Sequence, residues 1–167
     1  MNISYYESPI GEMLLASDGD FLVGLWFKDQ HHFGDTITND VINYEDEIIK
    51  TAKTWLDNYF AKKENNIKVP IRMIGTTFQK EIWEILLSIP YGTIMTYGDI
   101  AKIVAKKHGI KRMSSQAVGQ AVSRNHISLI VPCHRVIGSN KSLTGYAGGL
   151  TRKKYLLELE NIKFNKN

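Results

Sequence analysis

At 167 residues, with 43% apolar and 23% charged positions, the chain has an ordinary globular make-up and enough length for one domain or two small ones. No run approaches the roughly 18 apolar residues of a membrane span, the opening MNISYYESPIGEM lacks the basic start and apolar core of a secretory signal, and one cysteine excludes an internal disulfide. The net charge of +4 divides into −5 over residues 1–72 and +9 over residues 73–167, which excludes a uniformly acidic surface and suits a basic half that meets a polyanion.

In chain order, ISYYES, EMLLAS and FLVGLWFK are short β-rich runs separated by the turn residues PIG and DGD, so the start predicts an antiparallel meander. EDEIIKTAKTWLDNYFAKK follows, with Ile48, Ile49, Ala52, Trp55, Leu56, Tyr59 and Phe60 at helical spacing, acids at its start and lysines at its end. KENNIKVPIRMIGT reads as a connector, and the charge changes sign there. The expected domains are residues 1–72 and 73–167.

The second half reads as mostly helical. TTFQKEIWEILLSI is an amphipathic helix with Thr76 or Thr77 as N-cap. YGDIAKIVAKKHG gives another, ending at Gly109, and MSSQAVGQAVSRN a third, capped by Ser114 or Ser115 and stopping near Asn125. Two short helices around a brief basic turn match a helix-turn-helix, though many small helical domains share that pattern. An apolar, strand-like run follows from Ile127 to Val131, then VPCHRVIGSN, the glycine-rich GYAGG, and a last helix from about Leu150 to Glu160.

The lone Cys133 is open to three readings. The histidines, including the His31–His32 pair, offer no metal-binding spacing around it, so no metal and no cofactor is expected. A buried packing thiol is a common fate for a cysteine in an apolar run. Against packing stand His134 and Arg135, poor core residues whose charge would favour the reactive thiolate. Side chains of consecutive extended residues point apart, so either the chain turns at Pro132 or a water joins Cys133 to His134. A free thiol also suits a reducing, intracellular, cytoplasmic location.

The segments FQKEIWEILLSIPYGTIMTYGDIA, AVGQAVSRN and VPCHRVIGSNKSLTGYAGGLTRKKYLLELE match, in order and spacing, the O6-alkylguanine–DNA alkyltransferases, also called methylated-DNA–protein-cysteine methyltransferases. The chain resembles that family most specifically over residues 76–160. The resemblance implies an α/β ribonuclease-H-like N-terminal domain and a mostly helical, winged-helix-like C-terminal domain with a helix-turn-helix. It also implies DNA repair by direct damage reversal, a single irreversible transfer of an alkyl group from guanine O6 to Cys133. O4-alkylthymine is a further substrate it allows. The implied partner is double-stranded DNA, held in the minor groove with little sequence preference by a monomer, with no membrane.

Residue by residue, the resemblance makes Cys133 the nucleophile, His134 its base through a water, Glu160 the group orienting His134, and Asn125 the link to the helix-turn-helix. Tyr97 would meet the base at N3, Tyr146 and Val122 would line the pocket, the Ala147 amide would face O6, and the carbonyls of Cys133 and Val136 would accept from the exocyclic amine. Ser115, Gln116, Ala117, Gly119, Arg124 and Arg135 would lie against DNA. Gln116 stands where an arginine finger is usual, His126 stands where a proline is usual and implies a looser pocket wall, and the turn KKHGIKRMSS is longer than in the shortest members. A non-catalytic lesion binder, a helix-turn-helix regulator and a thiol hydrolase are the competing classes. Cys133 argues against the first, and the absence of a distant histidine pattern argues against the last.

Overall fold

In the computed structural model, which describes residues 1–165, the first element is a hairpin set by PIG. Strand β1 (Asn2–Ser8) turns at Gly11, whose φ of 123° favours glycine, into β2 (Gly11–Ser17). Strand β3 (Leu22–Phe27) completes the antiparallel meander, pairing Met13 with Phe27 and Leu15 with Leu25. A two-residue strand, β4 (Ile42–Asn43), adds in parallel beside β1 and makes the sheet mixed, in the order β3-β2-β1-β4. So short a strand has no alternation to read.

Every residue of LVGLWF is buried, as expected of a strand covered on both faces. Leu14, Ala16, Val23 and Trp26 form a cluster with Met1, Ile3 and Ile37 against it. Gly24 sits beneath the Trp26 ring, where an added Cβ would come within 1.9 Å of the indole. Helix α1 (Glu47–Phe60) buries Ile49, Ala52, Leu56 and Tyr59 at helical spacing. Asp46 caps it by accepting from the Ile49 amide at 2.9 Å. The lysines expected at its C-terminal end, Lys62 and Lys63, lie beyond the last turn, and Lys62 takes a φ of 57°.

The chain divides into two units, Met1–Ile74 with His126–Ser128, and Gly75–Asn125 with the residues from Leu129 onward. His126 therefore belongs to the first unit. Its Nδ1 donates to the Val23 carbonyl and its Nε2 accepts the Ile74 amide, both at 2.8 Å, and it is 2% exposed. The residue that stands in place of the usual proline is thus a buried ring bonded on both nitrogens.

The second unit holds three helices with side-chain caps. Helix α2 (Thr77–Leu87) starts in a capping box between Thr76 and Gln79, and α3 (Tyr97–Lys107) in one between Thr96 and Asp99. Helix α4 (Ser115–Ser123) is capped by Ser114, whose hydroxyl accepts from the Ala117 amide. Their packed faces are Ile82, Trp83 and Leu86, then Ile100, Ala101, Val104 and Ala105, then Val118, Ala121 and Val122. The Trp83 indole N–H donates to the Ala121 carbonyl at 2.9 Å. Strands β5 (Met95–Thr96) and β6 (Val136–Ile137) pair in parallel, and α5 (Leu150–Leu159) closes the unit. Among the described residues no helix is long and apolar enough to cross a membrane.

Candidate active site

The strand expected from Ile127 to Val131 is not formed. Ile127 makes an isolated bridge to Leu25, and the chain then turns, with Leu129 at a φ of 70°. An apolar run reads alike whether it enters a sheet or a buried turn. The amide of Cys133 donates to the Val131 carbonyl at 2.8 Å across Pro132 (φ −81°, ψ 65°), an inverse γ-turn. Cys133–Arg135 then form one turn of 3₁₀ helix. Successive side chains there step around an axis instead of alternating, so the geometric objection to neighbouring Cys133 and His134 disappears.

Asn125 follows α4 and is 5% exposed, with its Nδ2 donating to the Val131 carbonyl at 2.9 Å. It ties the end of α4 to the residue before the γ-turn. Cys133 is also 5% exposed. Burial pushes its thiol up, opposed by the Asn125 side chain, the Lys153 charge and the amides of Cys133 and His134. The net direction is upward, so the resting sulfur keeps its proton and attack requires a base.

His134 is fully buried, and its Nε2 lies 2.5 Å from Glu160 Oε2. Burial lowers the imidazole against the raising effect of Glu160. A carboxylate only accepts, so Nε2 carries the hydrogen and Nδ1 is the basic nitrogen. Burial raises the Glu160 carboxyl, but His134 and Arg135 outweigh it and hold the group down at about 2. Arg135 Nε donates to Glu160 Oε1 at 2.8 Å, and the Gly92 amide donates to the same oxygen at 3.0 Å.

Arg135, expected at the DNA face, is corrected by this geometry. It is 8% exposed, and its guanidinium reaches Glu160 through Nε and Nη2 and the Ile89 carbonyl through Nη1. A planar fork already matched to a buried carboxylate is not presented to a phosphate.

Lys153 was not singled out from the sequence. It is fully buried, and its ammonium donates to the carbonyls of Val136, Thr144 and Gly145 at 2.5, 2.7 and 2.9 Å. Burial lowers it to about 8, with Cys133 acting the other way. The signal was available: residues 153, 156, 157 and 160 share one helical face, and the two leucines between mark it as the inner one. Helix α5 thus carries a cation and an anion about 10 Å apart along one inner stripe. Val136, expected to meet the guanine amine, offers its carbonyl to Lys153, which leaves the second lone pair of that oxygen for a ligand.

Tyr97 opens α3, and its hydroxyl donates to the Thr144 carbonyl at 3.4 Å. Burial pushes it up to about 12, so it stays a donor at neutral pH. Gly119 of α4 approaches the Tyr97 ring, where an added Cβ would lie 3.7 Å away. The Tyr146 hydroxyl is buried with no hydrogen-bond partner among the described residues, and burial raises it well above its ordinary value. Cys133 bears on the titration of both phenols, so they share its surroundings. Ala147 is half-buried in the same loop. Val122 is 6% exposed on the packed face of α4, whereas Ser115, Gln116 and Arg124 are exposed and Ala117 and Gly119 half-buried. Among the described residues no three histidine, cysteine or acidic side chains gather so as to hold a metal.

A mixed-sheet unit followed by a helical unit enclosing thiol, imidazole and carboxylate defines a two-domain class of protein with one buried nucleophile. Residues 1–73 match the ribonuclease-like domain, and residues 77–162 the DNA-binding domain, of 6-O-methylguanine DNA methyltransferase. The chain belongs to this family. It is 42% identical to a methylated-DNA–protein-cysteine methyltransferase of Methanosarcina acetivorans, over 96% of this chain and 98% of that one. It is 38% identical to the constitutive protein of the same name from Bacillus subtilis, over 97% and 98%. The crystal structure of Mycobacterium tuberculosis OGT in complex with DNA superposes with a TM-score of 0.82 at 38% identity, covering 96% of this chain and 92% of that one.

Proposed function

We propose that this protein repairs DNA by taking the alkyl group from O6 of guanine onto Cys133, once per molecule. The observation that carries the reading is the buried line from Glu160 through His134 to the turn holding Cys133. The named activity of relatives that align over nearly the whole chain supports it.

In this mechanism the Cys133 proton passes through a water to His134 Nδ1, and Glu160 stabilises the resulting imidazolium. Sulfur bonds to the alkyl carbon as the carbon–O6 bond breaks, and its electron pair leaves with the base. Guanine then takes a proton and is restored. Tyr97 is suited to donate at the base edge and the Ala147 amide to face O6, where donors stabilise the developing negative charge. Nothing in the set cleaves a thioether, so the product is permanent. O4-alkylthymine carries an alkyl–oxygen bond of the same kind and falls within the same chemistry.

The reacting carbon is inaccessible in stacked duplex, so the nucleotide must leave the helix at a cost of a few kcal/mol. We read α3 and α4 as the helix-turn-helix of a winged-helix-like unit, with α4 in the minor groove. Its half-buried Ala117 and Gly119 suit close approach there, and its exposed Ser115, Gln116 and Arg124 face the strand. Contacts to phosphate carry no sequence information, consistent with a monomer that inspects any sequence. A nucleophile that must remain a thiol fits a reducing cytoplasm.

The test is to incubate the protein with a duplex oligonucleotide containing O6-methylguanine and weigh its peptides. One added methylene on the peptide holding Cys133 is expected, and none in Cys133→Ser. An unchanged mass in the unmodified protein refutes the reading.

A further inference from the structure

Between Asn125 and Leu129 three residues leave the second unit and belong to the first. They pair with the edge strand β3. The Leu25 amide donates to the His126 carbonyl and the Ser128 amide to the Leu25 carbonyl, both at 2.9 Å, around the parallel bridge of Leu25 and Ile127. The connector before α2 pairs further back along the same strand: the Leu22 amide donates to the Pro70 carbonyl at 2.8 Å, and the Arg72 amide to the Leu22 carbonyl at 2.9 Å. The His126 ring joins both segments to β3, with Nδ1 donating to the Val23 carbonyl and Nε2 accepting the Ile74 amide. An amide only donates and a carbonyl only accepts, so the two bonds select one neutral tautomer. Ser128 completes the attachment, its hydroxyl donating to Gln30 Oε1 at 3.3 Å.

Both ends of this pinned segment lead to the cysteine turn. Asn125 precedes it, and the Val131 carbonyl that takes Asn125 Nδ2 is the same oxygen that takes the Cys133 amide. Leu129 follows it at a φ of 70°, a conformation that a leucine keeps only where its surroundings impose it. The loop from Asn125 to Val131 is thus tied at its neck by one side-chain bond and pinned at its middle to β3. With the middle released, the neck bond would hold a strained loop alone. A proline at position 126 would restrict its own backbone and that of Asn125 through its ring. Histidine has no such covalent restraint, and its two ring bonds supply one.

We infer that His126 is a positioning residue for alkyl transfer: its two ring bonds hold Asn125, and through Asn125 the Val131 carbonyl that seats the Cys133 amide. It takes no part in the proton transfer itself. The inference rests on the DNA-repair reading above and adds a residue to it.

The experiment follows single-turnover methyl transfer to a saturating duplex containing O6-methylguanine, for the unmodified chain, His126→Asn and His126→Phe. Asparagine can place its amide near the position of Nδ1 and keep the bond to Val23, but it is too short to serve the Ile74 amide as well. Phenylalanine fills the space and makes neither bond. The amplitude counts competent molecules and the rate reports positioning, so a role in folding alone lowers the amplitude and the urea midpoint and leaves the rate as it was. The rate should fall roughly 10-fold in His126→Phe and roughly 3-fold in His126→Asn, within the range that displacements of up to about 1 Å bring. Affinity for the lesion duplex, read by anisotropy, should be unchanged. If His126→Phe does not fold, His126→Asn decides alone. A rate in His126→Asn equal to that of the unmodified chain overturns the proposal, as does a loss of affinity that matches the loss of rate. An unmodified chain that transfers nothing refutes the repair reading instead, and the inference with it.

Discussion

Replacing Glu160 by glutamine separates what the carboxylate does for the fold from what it does for the reaction. The group is 3% exposed and accepts from His134 Nε2, from Arg135 and from the Gly92 amide. Its carboxyl is held at about 2 against an ordinary 4.5, a difference of about 3 kcal/mol of native-state preference for the charged form. Because the folded value is the lower one, that stability is present above pH 4.5 and is lost as pH falls toward 2. In Glu160→Gln the amide places a donor among donors and leaves the Arg135 guanidinium buried without its anion. The expected destabilisation is about 3–5 kcal/mol, a large share of a typical total of about 5–15.

Urea unfolding at neutral pH reads that loss, and the stability of the variant should be flatter between pH 4.5 and 2. Adding Arg135→Met removes the orphaned cation and should recover much of the stability. It should not recover the rate of methyl transfer measured in a single turnover, because the imidazolium still lacks its counter-charge. If the double variant regains speed along with stability, Glu160 acts only as a structural partner of Arg135 and the proposed relay is wrong. If Glu160→Gln alone unfolds as the unmodified protein does, the buried charge network has been misjudged.

Three further perturbations follow from the geometry. Gly24→Ala drives a methyl into the Trp26 ring and should cost at least about 1–3 kcal/mol by urea unfolding, with transfer by the folded fraction intact; an unchanged midpoint contradicts the packing. Lys153→Met takes a donor from three carbonyls and should cost about 1–3 kcal/mol by urea unfolding at neutral pH; an unchanged midpoint contradicts these contacts. Since Lys153 titrates at about 8, below its ordinary 10.5, the unmodified protein should gain stability as pH rises between these values, and Lys153→Met should lack that gain. Asn125→Ala leaves the Val131 carbonyl without its side-chain donor and should slow transfer more than it weakens DNA binding in an anisotropy titration; equal losses would make Asn125 a part of the docking surface alone.

The meander and the long helices were readable because their periods of two and 3.6 persist over several residues and their caps are local. The strand expected after Ile127 failed for a physical reason: burial on every side erases periodicity, and hydrophobicity does not say whether a buried segment pairs or turns. Arg135 and Lys153 were misread or missed on the same principle in reverse. A charge is assigned to the surface by default, and only the distant partners Glu160, Ile89, Thr144 and Gly145 make these two interior. Cys133, His134 and Glu160 were named through resemblance; spacing in sequence does not reveal that a γ-turn and a 3₁₀ turn carry the chain toward α5.

The tight enclosure of Cys133 makes the proposed reaction leave a scar. A methyl fixed to that sulfur has to fit an interior packed for a thiol. Overfilling a core by one such group costs about 1–3 kcal/mol. A used molecule therefore melts earlier than a fresh one, and each copy carries a physical record of having acted.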